Sequence, residues 1–236
     1  MRSNTYTLVF TSIVTIVLGF FLALAADWLR DLQDLNVEND MRKNILLSLG
    51  FKPEAETPWT SDDIQKLFEE NIEALVLDAS GQRTEKDPKE IDTEKDVEFL
   101  PIYLKKIGGD VGGYAIPIAG KGLWSTLFGY FAIEPDGRTV KGITFYKHGE
   151  TPGLGGEVDK AWFQQNFIGK RFVDENDQLL GIHVIKGKVQ SDDQEAYHKV
   201  DGISGATMTG KGLEYFLKDD LVKYEPFFKQ VRGRQS

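Results

Sequence analysis

The sequence predicts an α+β domain that follows a single N-terminal transmembrane helix, and two observations carry this prediction. Residues Thr7–Ala26 form an uncharged apolar run of 20 residues, and about 20 helical residues cross a bilayer core of ~30 Å. In the remaining chain, helical patterns lie toward the two ends and short strand-like runs lie between them. This order favours a central antiparallel sheet with flanking helices over alternating strands and helices.

The charges around the apolar run predict its orientation. Arg2 precedes the run and Asp27 follows it, so the positive-inside rule places residues 1–6 in the cytoplasm, residues 7–26 in the membrane and the rest beyond it. A cleaved signal peptide is the alternative, because Ala23-Leu24-Ala25 resembles a cleavage site. Signal peptides have apolar regions of about 7–15 residues, and the longer run favours an uncleaved anchor.

Residues 27–98 are predicted to form juxtamembrane helices and a charged loop. An apolar residue at every fourth position predicts an amphipathic helix that ends at Gly50; these residues are Val37, Met41, Ile45 and Leu49. A second helix is predicted over residues 60–75, with Thr60 or Ser61 as its N-cap. Residues 83–98 contain 11 charged side chains in 16 positions, which is typical of a solvated loop.

Residues 99–236 are predicted to form the main domain. Short strand-like runs lie at 99–104, 114–118, 123–133, 142–146 and 179–185. The sequence Glu134-Pro-Asp-Gly-Arg138 predicts a hairpin between the third and fourth runs, because Pro presets φ and Gly accepts a positive φ. Helices are predicted over 159–167 and 209–216.

Composition excludes several functional classes. The chain has 28 Lys and Arg against 37 Asp and Glu, a net charge of −9, and an acidic chain without a basic block argues against nucleic-acid binding. It has no cysteine, which excludes disulfides, iron–sulfur clusters and thiol catalysis. The three histidines lack metal-ligand spacing, and no GxSxG motif supports serine hydrolysis. A redox role would therefore need an organic cofactor.

The segment Asp201-Gly-Ile-Ser-Gly-Ala-Thr207 is the first candidate binding motif. A glycine-containing turn that enters a helix presents free N–H groups and suits a phosphate. From Gly205 onward the sequence matches seven positions of a P-loop, but Gly212 replaces the Ser or Thr that would bind Mg²⁺. Thr207 is placed at the helix entrance, and Lys211 four residues later on the same face. The alternative is that Ser204 or Thr207 only caps the last helix.

Two further segments contain several glycines. Lys147-His-Gly-Glu-Thr-Pro-Gly-Leu-Gly-Gly156 follows a predicted strand, and its Pro and Gly residues predict a rigid backbone against which a flat ligand could lie. It does not contain the GxGxxG fingerprint of dinucleotide-binding folds. Gly120-Lys-Gly-Leu-Trp124 places Trp124 at the start of a strand, where an isolated tryptophan is expected to pack in the core.

Together these motifs resemble the FMN-binding domain family. Asp201–Thr207 is similar to the flavinylation signal of that family, in which the last threonine takes FMN through a phosphoester. Glu150-Thr-Pro-Gly-Leu-Gly155 is similar to its second signature. With Gly120–Ser125, Phe145-Tyr146 and the single anchor, the chain resembles the C subunits of Na⁺-translocating NADH:quinone oxidoreductases. The two FMN motifs also occur in the G subunit of the Rnf complex.

This resemblance implies a flavoprotein of the bacterial inner membrane, with its domain in the periplasm, that carries electrons within an NADH:ubiquinone reductase. It implies the other subunits of that complex and a separate flavin transferase as partners, no catalytic residue, no metal, and no complete activity for the chain alone. The alternatives are a member of the Rnf complex and a cofactor-free membrane-tethered sensor. The implied FMN-binding residues are Thr207 as the covalent acceptor, with Asp201, Ser204, Gly205, Ala206, Glu150, Thr151, Pro152, Gly153, Leu154, Gly155, Trp124 and Lys211.

Overall fold

The computed structural model describes residues 4–53, 57–91, 96 and 98–234, and it confirms the predicted α+β class with an N-terminal apolar helix. The chain divides into two compact units, one up to Asp40 and one from Met41 onward. The described residues include four α-helices, which are α1 (Asn4–Ser48), α2 (Ser61–Asn71), α3 (Ala161–Gln165) and α4 (Thr207–Gly233).

The first unit consists of the greater part of α1. Residues 4–37 are exposed along their whole length. A window of 18 residues in this helix has a mean hydropathy of 2.6, so the helix is long and apolar enough to cross a membrane. Residues 1–3 of the predicted cytoplasmic segment lie outside the described residues, as do residues 92–95 and 97 of the predicted charged loop.

The second unit is built on a six-stranded antiparallel sheet. The strand order is β2-β1-β3-β4-β5-β6, and the predicted hairpin is confirmed as β5 and β6, with Gly137 in its turn at φ +66°. A separate parallel pair is formed by β7 and β8. The strands are β1 (Ile72–Asp78), β2 (Arg83–Thr84), β3 (Phe99–Ile107), β4 (Asp110–Lys121), β5 (Thr126–Ile133), β6 (Val140–Lys147), β7 (His183–Val184) and β8 (Lys199–Val200).

The helix predicted over residues 60–75 is wrong in its second half. Thr60 caps α2 as predicted, but the helix ends at Asn71 and residues Ile72–Asp78 form β1. All seven residues of β1 pair with β3, and this ladder outweighs the helical spacing of the apolar side chains. The sheet thus includes two strands, β1 and β2, from the segment for which the sequence predicts only juxtamembrane helices and a loop, and β2 lies at the start of the predicted charged loop.

Several other elements differ from their sequence predictions. The amphipathic helix predicted to end at Gly50 is continuous with the apolar helix in α1, β4 is longer than the run predicted over 114–118, and α3 is shorter than the helix predicted over 159–167. The last helix and the strand predicted over 179–185 differ most. The pattern predicts the last helix over 209–216, but α4 has 27 residues and contains Pro226. The strand predicted over 179–185 is reduced to the two residues of β7. In both cases, contacts with the rest of the domain set the limits more strongly than the local pattern does.

The sheet has a hydrophobic core on each face, because alternate side chains of a strand point to opposite sides. In β5, Phe131 belongs to one core, and its neighbours Tyr130 and Ala132 belong to the other. The first core packs the sheet against α4, with Leu213, Leu217 and Phe228 among its residues. The second core includes Ile45, Leu46, Leu49 and Ile64. α4 is therefore held along one face of the sheet, and its N-terminus lies where the candidate motifs meet.

Candidate functional site

Thr207 is the first residue of α4, and Ala206 is its N-cap. No side chain caps this helix, so the alternative that Ser204 or Thr207 serves only as a cap is wrong. Both residues are exposed, and no hydrogen bond among the described residues involves either hydroxyl. The Thr207 hydroxyl is therefore open to solvent at the positive end of a 27-residue helix.

The turn that leads into α4 is shaped by Gly205 and Asp201. Gly205 has φ +74°, in the region that favours glycine, and a Cβ there would lie 2.8 Å from Leu154 Cδ2. The first motif therefore contacts the second. Asp201 Oδ1 accepts a hydrogen bond of 2.8 Å from the Val189 N–H, and the Gly202 N–H donates to Gly187 O at 2.8 Å. These bonds hold the loop 186–189 beside the entrance to α4.

A cleft of about 660 Å³ opens at this entrance, within the size range of small-molecule and cofactor sites. Five of the sequence-predicted residues line it, namely Gly153, Asp201, Ser204, Gly205 and Thr207. Sequence reasoning missed other lining residues: Glu157, Trp162, Asn166, Lys186, Gly187, Lys188, Gly202 and Ile203. A larger open depression lies near Asn176–Leu179 and the C-terminal part of α4, and none of the motif residues lines it.

The second motif forms a tight turn at the cleft. Thr151 O accepts hydrogen bonds from the N–H groups of Leu154 and Gly156 at 3.1 and 3.0 Å. Pro152 and Leu154 are exposed. Gly153 has φ +74°, and no atom lies within 4 Å of the position that its Cβ would occupy. The turn therefore places the main chain of Gly153 at the cleft, and its close approach to a flat ligand stays a prediction.

Glu150 does not line the cleft; it is buried, with 5% of its surface exposed. Its Oε1 accepts hydrogen bonds from the N–H groups of Trp124 at 2.8 Å and Ser125 at 3.0 Å. Its Oε2 accepts a hydrogen bond of 2.7 Å from the Thr209 hydroxyl. Burial alone would raise the pKa of Glu150, but these hydrogen bonds outweigh it and lower the pKa below its ordinary value. An ionised carboxylate thus joins three segments.

The other predicted residues are not among those that line the cleft; they are Ala206, Thr151, Pro152, Leu154, Gly155, Trp124 and Lys211. The Trp124 side chain is 70% exposed, so the expectation that it packs in the core is wrong. Lys211 is exposed on α4 and is not among the residues that line the cleft. Thr209 is 1% exposed and donates to Glu150, so its hydroxyl is not open in the way that the Thr207 hydroxyl is.

The chemistry of the cleft fits a phosphate-bearing cofactor such as FMN. The N-terminus of α4 supplies positive charge at the Thr207 hydroxyl. The lining of the cleft includes Lys186 and Lys188 as well as the acidic Glu157 and Asp201. The bare main chain of Gly153, also in the lining, leaves room for a flat ring. Among the described residues, no group of three or more His, Asp or Glu side chains could hold a metal ion.

Comparison with known proteins defines the class of this domain. Residues 122–221 match the model of the FMN-binding domain family. This range contains the β5–β6 hairpin, all the residues that line the cleft, and the first half of α4. The domain therefore belongs to the class of FMN-binding domains.

Full-length relatives narrow the family further. The C subunit of the Na⁺-translocating NADH-quinone reductase from Pseudomonas aeruginosa is 34% identical over 100% of this chain and 98% of its own length. Its counterpart from Neisseria meningitidis serogroup B is 35% identical over 88% of this chain and 86% of its own length. The chain therefore belongs to the family of C subunits of the Na⁺-translocating NADH-quinone reductase.

Solved structures agree with this assignment. The crystal structure of the C subunit from Parabacteroides distasonis is similar with a TM-score of 0.73 and 32% identity, covering 85% of this chain and 96% of that one. The Shewanella oneidensis NqrC structure has a TM-score of 0.70 and 26% identity, over 83% and 97% of the two chains. These relatives favour the Na⁺-translocating reductase over the Rnf alternative, and the domain family argues against a cofactor-free sensor.

Proposed function

We propose that this chain is the membrane-anchored flavoprotein subunit of a Na⁺-translocating NADH-quinone reductase, and that it carries FMN as a phosphoester on Thr207. The observation that carries the proposal is the open Thr207 hydroxyl at the N-terminus of α4, inside a cleft lined by both FMN motifs. When bound, FMN supplies the redox chemistry by accepting electrons and passing them on. The chain's own residues bind and orient it.

The residues of the cleft divide this work between the phosphate and the ring. The N-terminus of α4 and the side chains of Lys186 and Lys188 offset the negative charge of the phosphoester. Asp201 lines the same cleft, and its Oδ1 accepts the Val189 N–H, which fixes the loop that carries the two lysines. The bare main chain at Gly153 leaves space for the ring system.

Attachment needs a second protein. No hydrogen bond to a neighbouring His, Asp or Glu side chain activates the Thr207 hydroxyl among the described residues, so we infer that Thr207 does not attach FMN unaided. A flavin transferase would use FAD as donor. Thr207 Oγ1 forms the new bond to the FMN phosphorus, the pyrophosphate bond of FAD breaks, and AMP leaves with the hydroxyl proton.

The anchor and the charge pattern support a periplasmic domain, on the outer side of the inner membrane. The apolar part of α1 fits a membrane-anchored protein. The transferase would act on the same side. Electron donors, electron acceptors and the Na⁺ path would be provided by the other subunits of the complex, because one apolar helix without ionisable side chains in its span provides no ion path.

Replacing Thr207 by Ala tests the proposal directly. The full chain is expressed in membranes with the transferase, and covalent flavin is measured by in-gel fluorescence after denaturation and by mass spectrometry. Thr207→Ala is expected to lose all covalent flavin. Its melting temperature should stay close to that of the flavin-free wild-type chain, because no hydrogen bond of Thr207 Oγ1 is lost.

Thr207→Ser is the matched control, since it keeps a hydroxyl at the same position and should retain covalent flavin. Retention of flavin by the Ala variant would show that another residue is the acceptor. Absence of covalent flavin in the wild-type chain would refute the proposal itself.

A further inference from the structure

We infer that Glu150 is a positioning residue, whose buried carboxylate fixes the first turn of α4, and with it Thr207, against the loops 122–125 and 150–155. The inference rests on the proposed flavin attachment at Thr207. It assigns Glu150 a role that differs from cofactor contact, because both of its oxygens are occupied by protein donors and it does not line the cleft.

Glu150 connects segments that are far apart in sequence but meet at the site. Trp124 and Ser125 belong to the loop between β4 and β5, and their main-chain N–H groups reach Oε1 at 2.8 and 3.0 Å. Thr209 lies two residues after Thr207 in the same helical turn, and its hydroxyl reaches Oε2 at 2.7 Å. One side chain therefore links the β4–β5 loop and the FMN-acceptor helix.

Glycines surround this carboxylate where a larger residue would collide with it. A Cβ at Gly155 would lie 2.5 Å from Glu150 Oε2 and 2.6 Å from Thr209 Oγ1, and one at Gly122 would lie 2.8 Å from Glu150 Oε1. At Gly212, a Cβ would lie 2.3 Å from Lys121 O, so α4 is also pressed directly against the end of β4. We call the contact of α4 with the loops 122–125 and 150–155 the junction. The Glu150 carboxylate fills the space in it, so neither Gly122 nor Gly155 has room for a Cβ.

The charge and the length of the side chain both matter for this role. A carboxylate accepts at both oxygens, as the two N–H donors and the hydroxyl donor require. In a Gln side chain one oxygen becomes an NH₂ donor, so the Thr209 hydroxyl must reverse its role or lose its partner. Hydrogen bonds to ionised groups are about twice as strong as neutral ones, so the Gln variant also loosens the main-chain contacts.

The test measures the initial rate of covalent flavin incorporation into the full chain in membranes, with FAD and the transferase supplied. It also measures the visible spectrum and reduction potential of the flavin that becomes attached, and the melting temperature of the flavin-free chain. Glu150→Gln and Thr209→Val are each expected to lower the rate at least about tenfold, as the loss of a hydrogen bond to a charged group implies. They should also shift the spectrum and the potential.

The double variant Glu150→Gln, Thr209→Val should be no slower than the slower single variant, because both changes break the same contact. Thr209→Ser keeps the hydroxyl and should restore the wild-type rate. Asp220→Asn is the matched control: Asp220 is a buried carboxylate on the same helix that accepts the Ala119 N–H at 3.0 Å, about 20 Å from Thr207 along α4. It should be flavinylated at the wild-type rate.

A Glu150→Gln chain that is flavinylated at the wild-type rate, with an unchanged spectrum and potential, would overturn the inference. An equal loss of rate in Asp220→Asn would also overturn it, because the effect would then be one of general stability. If Glu150→Gln does not fold, the Thr209→Val and Thr209→Ser pair decides, and equal rates in that pair would overturn the inference. Failure of the wild-type chain to acquire covalent flavin would refute the proposed function instead.

Discussion

Two buried carboxylates lie at α4. Glu150 contacts the N-terminal end of the helix and Asp220 belongs to its middle, and their pKa values move in opposite directions. Glu150 is 5% exposed and Asp220 is 6% exposed. Each accepts a main-chain N–H group from β4 or from the loop after it. Yet the pKa of Glu150 is lowered, whereas burial raises the pKa of Asp220.

Two things differ between these carboxylates. Burial is the largest influence on the pKa of Asp220, whose carboxyl group lies deeper in the protein, and Glu150 has more hydrogen-bond donors to offset its burial. Glu150 has two main-chain N–H donors on one oxygen and a buried hydroxyl on the other. Asp220 has one main-chain donor and the ammonium group of Lys223 at 2.7 Å. The Lys223 side chain is 40% exposed, so solvent screens its charge. The ionised carboxylate of Glu150 thus stabilises the N-terminal junction, whereas the ionised form of Asp220 destabilises the middle of α4.

The largest expected effect is on the stability of the two alanine variants. Glu150→Ala strands two main-chain N–H donors and a hydroxyl, each of which costs about 1–3 kcal/mol when left buried without a partner. Asp220→Ala strands only the Ala119 N–H and removes a carboxylate whose burial is unfavourable. We expect a loss of about 3–5 kcal/mol for Glu150→Ala and at most about 1 kcal/mol for Asp220→Ala.

Denaturant unfolding of the flavin-free full chain in detergent measures both values. Equal losses in the two variants would break the comparison, because the donor count would then not decide the contribution of a buried carboxylate at α4.

A smaller effect is expected from adding one methyl group at the junction. Gly155→Ala places a Cβ 2.5 Å from Glu150 Oε2, and overpacking of this kind costs about 1–3 kcal/mol. Gly233→Ala is the matched control at the far end of α4, where no atom lies within 4 Å of the added Cβ. That variant should be neutral or more stable by up to about 1 kcal/mol, because Ala favours a helix over Gly.

Melting temperatures of the two variants and the wild-type chain test this pair. A Gly155→Ala chain as stable as Gly233→Ala would show that the junction can relax around Glu150, which would weaken the argument that it is rigid.

The sequence predicts those parts of the fold that local chemistry determines, and it does not predict those that depend on packing. The β5–β6 hairpin follows from local chemistry, because Pro135 and Gly137 suit one turn and the apolar runs on either side suit strands. The full length of α4 does not follow, because Pro226 is a local signal for a helix end. Packing of α4 against the sheet, through side chains such as Leu221 and Phe228 on either side of Pro226, outweighs that signal.

The site also contains residues that a local motif identifies and residues that only non-local contacts bring to the cleft. Thr207 and the residues before it are consecutive in sequence, so a motif identifies them together. Lys186 and Lys188 reach the cleft only because Asp201 and Gly202 bind the loop that carries them, and no local pattern encodes that contact. The network of Glu150 is also non-local, since Ser125 and Thr209 are 25 and 59 residues away in the chain.

The smallest expected effect is on the pH dependence of stability. The folded-state pKa of Glu150 lies below its ordinary value of 4.5. The unfolded chain therefore binds more protons there, and the stability that Glu150 contributes is present above about pH 4.5 and lost as the pH falls through its folded pKa. The folded-state pKa of Asp220 lies above its ordinary value of 3.8. Its charged form destabilises the domain at neutral pH, and this destabilisation is relieved as the pH falls through its folded pKa.

The measurement is the melting temperature of the flavin-free wild type, Glu150→Gln and Asp220→Asn chains from neutral to acid pH. The difference between each variant and wild type gives the direction of the effect for that carboxylate, since the titration of all other groups cancels. Glu150→Gln should melt below wild type at neutral pH, with the gap closing below about pH 4.5. Asp220→Asn should approach or exceed wild type at neutral pH and lose ground to it as the pH falls. Two gaps that change in the same direction would contradict the comparison, because donor number would then not separate these two carboxylates.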